Sequence, residues 1–346
     1  MQSQNFDRRP GRREFLQSAG ALALGAMIYR RAGTADAHDM GGKPFWGVFP
    51  IGQTPFTPDN KIDLDCLAAE VNFCNRGRVA GMAWPQIASG WSTMSEQERM
   101  DGAEAILAAG KGGKTSLVIG VQSIGSDLPT SIRYAQHAEK HGADAIISLP
   151  PEKSNDQGML DYYKAIGAAT ALPLMVQSQG DMSVDLIVEM FNQIPTMKCV
   201  KDEAGNPLAR VTQILAATNG KLAVFSGNGV RTMMDEMRLG FSGHCPTTGL
   251  ADLYQATFDL YHAGDHKAAF DMFGRIQAFN TIPGSGAYIM VARGVFKENT
   301  ISRPMPGMGP VGGPGPGARD TGPLDDAQKQ NIRAAMDEYL KPYLRA

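Results

Sequence analysis

The stretch that separates the two α/β folds open to this chain reads Phe45-Trp46-Gly47-Val48-Phe49-Pro50-Ile51-Gly52-Gln53-Thr54-Pro55-Phe56. A doubly wound sheet that binds a dinucleotide usually carries a Gly-x-Gly-x-x-Gly turn directly after its first strand. The loop after this first apolar run has one glycine, Gly52, between two prolines, so it does not form such a turn. The segment therefore favours a barrel over a dinucleotide-binding sheet.

Seven further strand-like apolar runs follow, and helical patterns lie between them. The predicted strands are Phe45–Phe49, Ala80–Trp84, Ser116–Ile119, Ala143–Ser148, Leu172–Val176, Lys198–Val200, Leu222–Phe225 and Phe241–Cys245. Strands that alternate with helices in this way predict a parallel sheet, and eight such units over roughly 250 residues match a barrel. The predicted fold class is therefore α/β, a (β/α)8 TIM barrel over residues 44–250 with a C-terminal helical extension.

The chain after the barrel divides into three parts. Residues 251–302 carry helical patterns and make up the helical extension. Residues 303–322 are dense in proline and glycine, which predicts an irregular, extended connection. Residues 323–346 are predicted to form a terminal helix that either docks on the barrel or offers a surface to a partner.

The first 37 residues have the order of parts of an export signal. Arg12 and Arg13 precede Phe15 and Leu16, an apolar run follows at Ala21–Tyr29, and small residues lie at 35–37. This order resembles a cleaved twin-arginine signal, whereas the alternative is a disordered basic tail. An apolar run of about nine residues is too short to span a bilayer. We therefore expect a periplasmic protein that meets the twin-arginine export machinery and has no stable membrane insertion.

Composition excludes some classes of partner and cofactor. The 346 residues have a formal net charge of -2, which gives no electrostatic basis for nucleic-acid binding. The four cysteines, Cys66, Cys74, Cys199 and Cys245, have no metal-binding spacing, and we expect them to be free thiols. His262 and His266 are four apart, but Gly264 lies between them, so the sequence predicts no metal site.

One lysine stands at the end of the predicted sixth strand, in the run Lys198-Cys199-Val200-Lys201-Asp202-Glu203. Active sites of (β/α)8 barrels lie at the C-terminal ends of the strands. A lysine there loses solvation, which favours the neutral amine that attacks a ketone to form an imine. The alternative is a solvated lysine paired with Asp202 or Glu203, and spacing alone leaves both open.

Several short motifs, taken in order, resemble those of the dihydrodipicolinate synthase / N-acetylneuraminate lyase family. The segments are Thr54-Pro55-Phe56 with Asp59 and Ile62-Asp63, then Gly142-Ala143-Asp144-Ala145, Val200-Lys201-Asp202 and Ser226-Gly227-Asn228. The likeness covers about residues 44–300. It implies that Lys201 forms a Schiff base with pyruvate or another 2-oxo acid or 2-oxo sugar acid. It also implies aldol or dehydration chemistry, no metal or organic cofactor, and a homo-oligomer, either a dimer or a tetramer.

The chain departs from the family pattern around the expected site. In the loop that holds the substrate carboxylate, Ser89 and Gly90 best match the family residues, and Ser92 and Thr93 follow them. Glu152 stands where the family has its proton-relaying tyrosine. Because that tyrosine and the arginine that reads a distal carboxylate are absent, dihydrodipicolinate synthesis itself is not expected.

Candidate site residues follow from these matches. Lys201 and Glu152 are the predicted catalytic residues, and Glu152 would take over acid–base work if the fold buries it. The predicted substrate-binding residues are Ser89, Gly90, Ser92, Thr93, Gln177, Ser226 and Gly227.

Three functional hypotheses result from the sequence. The leading one is a Schiff-base-forming lyase, an aldolase or dehydratase that acts through Lys201. The alternative is a non-catalytic periplasmic binding protein for small carboxylates on the same barrel. A third is a barrel kept as an assembly component, with the terminal helix as its partner surface.

Overall fold

The computed structural model describes residues 43–304 and 324–346. The predicted export signal and residues 305–322 of the predicted connection lie outside the described residues. Among the residues described, no helix combines the length and the apolar character needed to cross a membrane.

Eight parallel strands form one sheet, which confirms the predicted barrel. They are β1 (Gly47–Val48), β2 (Gly81–Trp84), β3 (Ser116–Gly120), β4 (Ala145–Ser148), β5 (Leu174–Ser178), β6 (Met197–Asp202), β7 (Ala223–Ser226) and β8 (Gly243–His244). Strand β1 pairs with β8, and from β8 the order runs back without a break to β2. The first and last strands are shorter than the apolar runs that predicted them.

Two sets of contacts join β1 to β2 and bring the ring of strands together. After β1, Ile51 forms a parallel bridge with Ala83, and Gly52 N–H donates to the Ala83 carbonyl at 2.9 Å. At the other end, Gln255 Oε1 accepts from Val48 N–H at 3.0 Å and from Ala80 N–H at 3.1 Å. A side chain of the helical extension thus supplies hydrogen bonds that the short first strand does not make.

Helices surround the strands and alternate with them. The barrel helices are α1 (Leu64–Arg76), α2 (Glu96–Ala109), α3 (Leu128–Lys140), α4 (Asp156–Ala168), α5 (Val184–Gln193), α6 (Pro207–Ala217), α7 (Met233–Leu239) and α8 (Ala251–His262). The extension continues with α9 (His266–Asn280) and α10 (Ser285–Ala292). Most of these helices begin after a side chain that accepts a hydrogen bond from the first turn. These caps are Asp63, Ser95, Asp127, Asn155, Ser183 and Asp265.

The terminal segment is helical from Asp326 to Tyr343, with a change of helix type along its length. It begins at Asp326 as α11 (Asp326–Ala335), because Asp325 and Gln328 form a capping box, and a π-helical turn continues it to Leu340. Its buried residue Ile332 faces the extension. Arg333 donates to the hydroxyl of Tyr288 in α10 at 2.8 Å, so the helix packs against the extension.

Inward-facing side chains fill the barrel with an apolar core. These residues are Phe45, Phe49, Ile51, Ala83, Val118, Ala145, Ile147, Met175, Cys199, Ala223, Phe225 and Cys245. Successive side chains of a strand point to opposite faces, so the residue two positions after an inward residue also points inward. Lys201 follows Cys199 in this way and Gln177 follows Met175, which puts both at the C-terminal end of the interior.

Glu70 of α1 is a fully buried carboxyl beside the loop after β1. Its Oε1 accepts from Gln53 N–H at 3.0 Å, while its Oε2 is buried without a described hydrogen-bond partner. Burial raises the pKa of Glu70 from 4.5 to about 8, although the Gln53 N–H and the nearby Thr248 hydroxyl lower it in part. The folded protein therefore holds a proton here at neutral pH.

This proton gives a prediction for stability against pH. The pKa of Glu70 is raised on folding, so between about pH 4.5 and pH 8 the folded state binds more protons than the unfolded state. The free energy of unfolding must then fall as pH rises through that window. Glu70→Gln removes the group that binds this proton. We therefore expect the unfolding free energy of Glu70→Gln to decline less between pH 5 and pH 8 than that of the wild type.

Urea unfolding at several pH values measures both slopes. Glu152→Gln, which changes an exposed carboxylate, is the matched control and should follow the wild-type slope. Parallel pH dependence in wild type and Glu70→Gln would contradict the prediction.

Candidate active site

Lys201 lies near the C-terminal end of β6, and its side chain is only 6% exposed. It is in register with Gln177 of β5 and Phe225 of β7. Phe225 belongs to the apolar core of the barrel. The nearest described charge is the carboxylate of Glu203, whose Oε2 is 3.3 Å from the Lys201 Nζ.

Glu203 is held against the lysine by donors from the neighbouring strands. Gln177 Nε2 donates to its Oε2, and Asn228 N–H donates to its Oε1 at 2.9 Å. Its own N–H donates to Ser178 Oγ at 3.1 Å, which fixes its backbone at the strand end. The carboxylate is thus positioned by three strands to face a single amine.

Gly227 leaves the space that this ion pair occupies. A Cβ at this position would lie 1.8 Å from Glu203 Oε1 and 2.8 Å from Lys201 Cε. Any larger residue would displace the carboxylate, the lysine or both. Gly227, predicted as a substrate-binding residue, therefore lies directly at the Lys201–Glu203 pair.

Gln177 is brought to the same place. Its side chain is fully buried, and its amide joins the pair through Glu203. The amide oxygen, Oε1, is buried and has no described hydrogen-bond partner. An unpaired buried acceptor is costly, so this oxygen is available to a donor that enters the mouth of the barrel.

Ser226 lies at the same strand end, but its hydroxyl points to the opposite face. It is in register with Asp202 rather than with Lys201. Its Oγ donates to Glu236 Oε2 and lies 3.0 Å from His244 Nδ1. Burial raises the pKa of Glu236, but hydrogen bonds from His244, Ser226 and Thr232 outweigh it and hold that pKa below its ordinary value. The Ser226 side chain therefore belongs to a buried network between barrel and helix, and only its backbone borders the lysine strand.

The loop after β2 holds the next group of predicted residues. Ser89 Oγ donates to the Gly52 carbonyl and accepts from Gln86 N–H at 2.9 Å. Its carbonyl accepts from Thr54 Oγ1 at 2.6 Å. Ser89 thus fastens the loop after β2 to the loop after β1.

Residues beyond Ser89 turn away from this contact. Gly90 has a left-handed backbone with φ of 67°, which starts a second short turn. Ser92 is exposed, and Thr93 Oγ1 donates to the Gly90 carbonyl at 2.8 Å. Within residues 43–304 and 324–346, no hydrogen bond or ion pair joins Ser89, Ser92 or Thr93 to Lys201.

Glu152 lies in a turn after β4 and is exposed to solvent. Its described hydrogen bond is made by its backbone N–H, which donates to Ser126 Oγ at 2.8 Å. Glu152 is therefore not buried, although its predicted acid–base role requires burial. The sequence pattern identified Glu203 only as an ion-pair partner, although its position two residues after Lys201 already puts both on one face.

Cys245 extends from β8 into the interior near the pair. Burial raises the pKa of its thiol to about 12, although the charge of Lys201 lowers it in part. The four cysteines are free and buried, as expected from their spacing.

Comparisons with known proteins identify the family of this chain. A family model described as the dihydrodipicolinate synthetase family matches residues 44–298. The chain belongs to this family. The match covers the barrel and nearly all of the helical extension, and it confirms the family that the sequence motifs predicted.

Individual relatives are distant. The 4-hydroxy-tetrahydrodipicolinate synthase of Methanosarcina mazei is 29% identical over 191 residues, which cover 53% of this chain and 63% of that enzyme. The alignment therefore spans less than two thirds of that relative's length.

Solved structures show the same fold at lower identity. The sialic acid aldolase of Ruminococcus gnavus is 18% identical with a TM-score of 0.71, over 86% of this chain and 99% of that one. A prophage protein of the dihydrodipicolinic acid synthase family from E. coli K12, solved in complex with pyruvate, is 17% identical with a TM-score of 0.69. That match covers 85% of this chain and 98% of that one.

The raised pKa of the buried Cys245 thiol predicts slow labelling of this residue in the native protein. A pKa of about 12 leaves only about one molecule in 10⁴ as thiolate at pH 8, and the thiolate is the reactive form. We expect iodoacetamide to leave Cys245 unmodified in the native protein and to label it fully in urea. Peptide mass spectrometry of both samples measures this, and rapid native labelling of Cys245 would contradict the prediction.

Proposed function

We propose that this protein is a Schiff-base-forming lyase, an aldolase or dehydratase, whose Lys201 condenses with pyruvate or another 2-oxo acid or 2-oxo sugar acid. The observation that carries the proposal is the buried Lys201 amine at the mouth of the barrel, 3.3 Å from the Glu203 carboxylate. Membership of a family whose matched relatives are named as synthases and aldolases supports it. The pyruvate complex of the E. coli relative supports the choice of a 2-oxo acid.

Imine formation needs a neutral amine and a route for protons. In the resting protein, the ion pair with Glu203 gives the lysine proton an acceptor. The neutral amine then attacks the ketone carbon; the nitrogen loses a proton and the ketone oxygen takes one up, which gives a carbinolamine. A second proton transfer releases that oxygen as water and leaves a protonated imine. Glu203 is the residue we assign to both transfers, since it is the carboxylate nearest the reacting nitrogen.

The protonated imine then acts as an electron sink for the bond next to it. Loss of a proton from the adjacent carbon gives an enamine, which adds to an aldehyde in an aldol reaction. Cleavage of a carbon–carbon bond gives the same enamine in the reverse direction, and loss of hydroxide gives dehydration. Hydrolysis of the imine returns the product and the free Lys201 amine.

Several binding roles remain part of the proposal. We assign the substrate carboxylate to the loop that contains Ser89, Gly90, Ser92 and Thr93, on the basis of the family motif. The unpaired Gln177 Oε1 is suited to accept from a substrate hydroxyl. The exposed Glu152 is not assigned a proton transfer.

Export by the twin-arginine route to the periplasm is likewise proposed, and it rests on the residue order in positions 12–37. A homo-oligomer is proposed on the family likeness alone.

The lysine assignment predicts a covalent adduct. Incubation with pyruvate and sodium borohydride should reduce the imine and attach the acid to Lys201 irreversibly. Peptide mass spectrometry should locate the adduct, and Lys201→Arg, which keeps the charge but not the reactive amine, should give none. Ligand-dependent thermal stabilisation without an adduct, across pyruvate and 2-oxo sugar acids, would favour a non-catalytic binding protein instead.

If Glu203 carries out these proton transfers, replacing it should slow the exchange of pyruvate protons that the protein catalyses. Proton NMR follows the exchange of pyruvate methyl protons with D2O, a reaction that needs the enamine but no second substrate. We expect Glu203→Gln to lower this rate by about 10²-fold or more, because a positioned acid–base group typically contributes that factor.

The matched control for that experiment is Glu152→Gln, which neutralises an exposed carboxylate and should change the rate less than twofold. Equal rates in wild type and Glu203→Gln, with a large loss in Glu152→Gln, would reverse the assignment of the two carboxylates.

A further inference from the structure

Three side chains on the outer ring of helices converge on one point. Glu104 lies in α2, His137 in α3, and His141 immediately after α3. His137 Nε2 is 3.0 Å from Glu104 Oε1, and His141 Nε2 is 3.6 Å from the same oxygen. The two imidazole rings lie side by side, with centroids 4.4 Å apart and planes inclined by 30°.

The backbone explains why the two imidazoles face the same way. Residues four apart on a helix lie on one face, one turn above the other. Glu104 reaches the same face from the neighbouring helix, so the three donors come from two elements. Within the described ranges, no lysine or arginine forms an ion pair with Glu104, whose described partners are the two histidines.

The donor set and the spacing both suit a zinc ion. Zinc binds histidine nitrogen and carboxylate oxygen at about 2.0–2.2 Å in a tetrahedron, which separates neighbouring ligand atoms by about 3.3 Å. The distances of 3.0 and 3.6 Å from the carboxylate oxygen lie on either side of that value. All three ligand atoms lie within 4.8 Å of one another, so small side-chain rotations bring them to one ion.

The surroundings leave room for a fourth ligand. Glu104 and His141 line a groove of about 810 Å³ that also contains Asp101, Lys111 and the ion pair of Lys43 with Asp144. The side chains of His137 and His141 are 16% and 28% exposed, so an ion can enter from solvent. A site with three protein ligands keeps one position open for water or an exogenous ligand.

We propose that Glu104, His137 and His141 bind a single Zn²⁺ ion, which links α2 to the C-terminal end of α3. The site is separate from Lys201, which points into the barrel interior, and it takes no part in the proposed Schiff-base chemistry. The spacing of His137 and His141, four apart, is visible in the sequence, but Glu104 precedes His137 by 33 positions, so no local pattern brings the three together.

Calorimetric titration of the untagged, metal-stripped full chain with zinc chloride tests the site. We expect one zinc ion per chain in wild type and binding at least tenfold weaker in His141→Ala and in Glu104→Gln. The matched control is the double variant His262→Gln, His266→Gln, which removes two histidines at the same sequence spacing and should bind like wild type.

Thermal unfolding provides the second measurement. Zinc at about 100-fold above the wild-type Kd should raise the Tm of wild type and of the control by about 4 °C, and that of the two site variants by about 2 °C or less. Equal Tm values of all four proteins without zinc would establish that the variants fold. Absence of stoichiometric binding in wild type, or unchanged binding in His141→Ala, would overturn the proposal.

Discussion

The arrangement around Lys201 depends on the cost of burying an ammonium group. An isolated charge above an apolar core loses its hydration, and the fold must offer it a partner or favour its neutral form. Here the partner is Glu203, which is itself positioned by Gln177 and by the backbone of Asn228. The same pair that stabilises the lysine in the folded protein also puts a carboxylate 3.3 Å from the nitrogen to which we assign imine formation.

The outer faces of the same strands hold the ion pair in place. Asp202, one residue after the lysine, points away from the interior and accepts two hydrogen bonds from Arg210, at 2.9 and 3.1 Å. Ser226 on the next strand joins Glu236 and His244 in a second buried network. Because successive side chains of a strand point to opposite faces, Asp202 and Ser226 form polar contacts outside the barrel, while their neighbours Lys201 and Gly227 lie at the ion pair inside it. Loss of the outer contacts would loosen the strand ends on which Lys201 and Gly227 lie.

Much of the barrel could be predicted from the sequence, because each strand is an apolar run and most helices begin at a capping residue. The position of Lys201 followed from the strand end alone. The contact of Glu203 could also have been found, since two residues of separation put it on the lysine's face. The direction of the Ser226 hydroxyl could not be predicted, because the sequence does not show which residues of β7 face the barrel interior and which face outward. The exposure of Glu152 and the convergence of Glu104 with His137 depend on contacts between distant segments, which no local pattern contains.

The most direct test of the account is a crystal structure of the protein after incubation with pyruvate. The account predicts continuous density from Lys201 Nζ to the second carbon of pyruvate. It also predicts that the Glu203 carboxylate lies within hydrogen-bonding distance of that nitrogen or of a group bonded to that carbon. Pyruvate bound in the barrel mouth without a covalent link, beside an undisturbed Lys201–Glu203 ion pair, would contradict it.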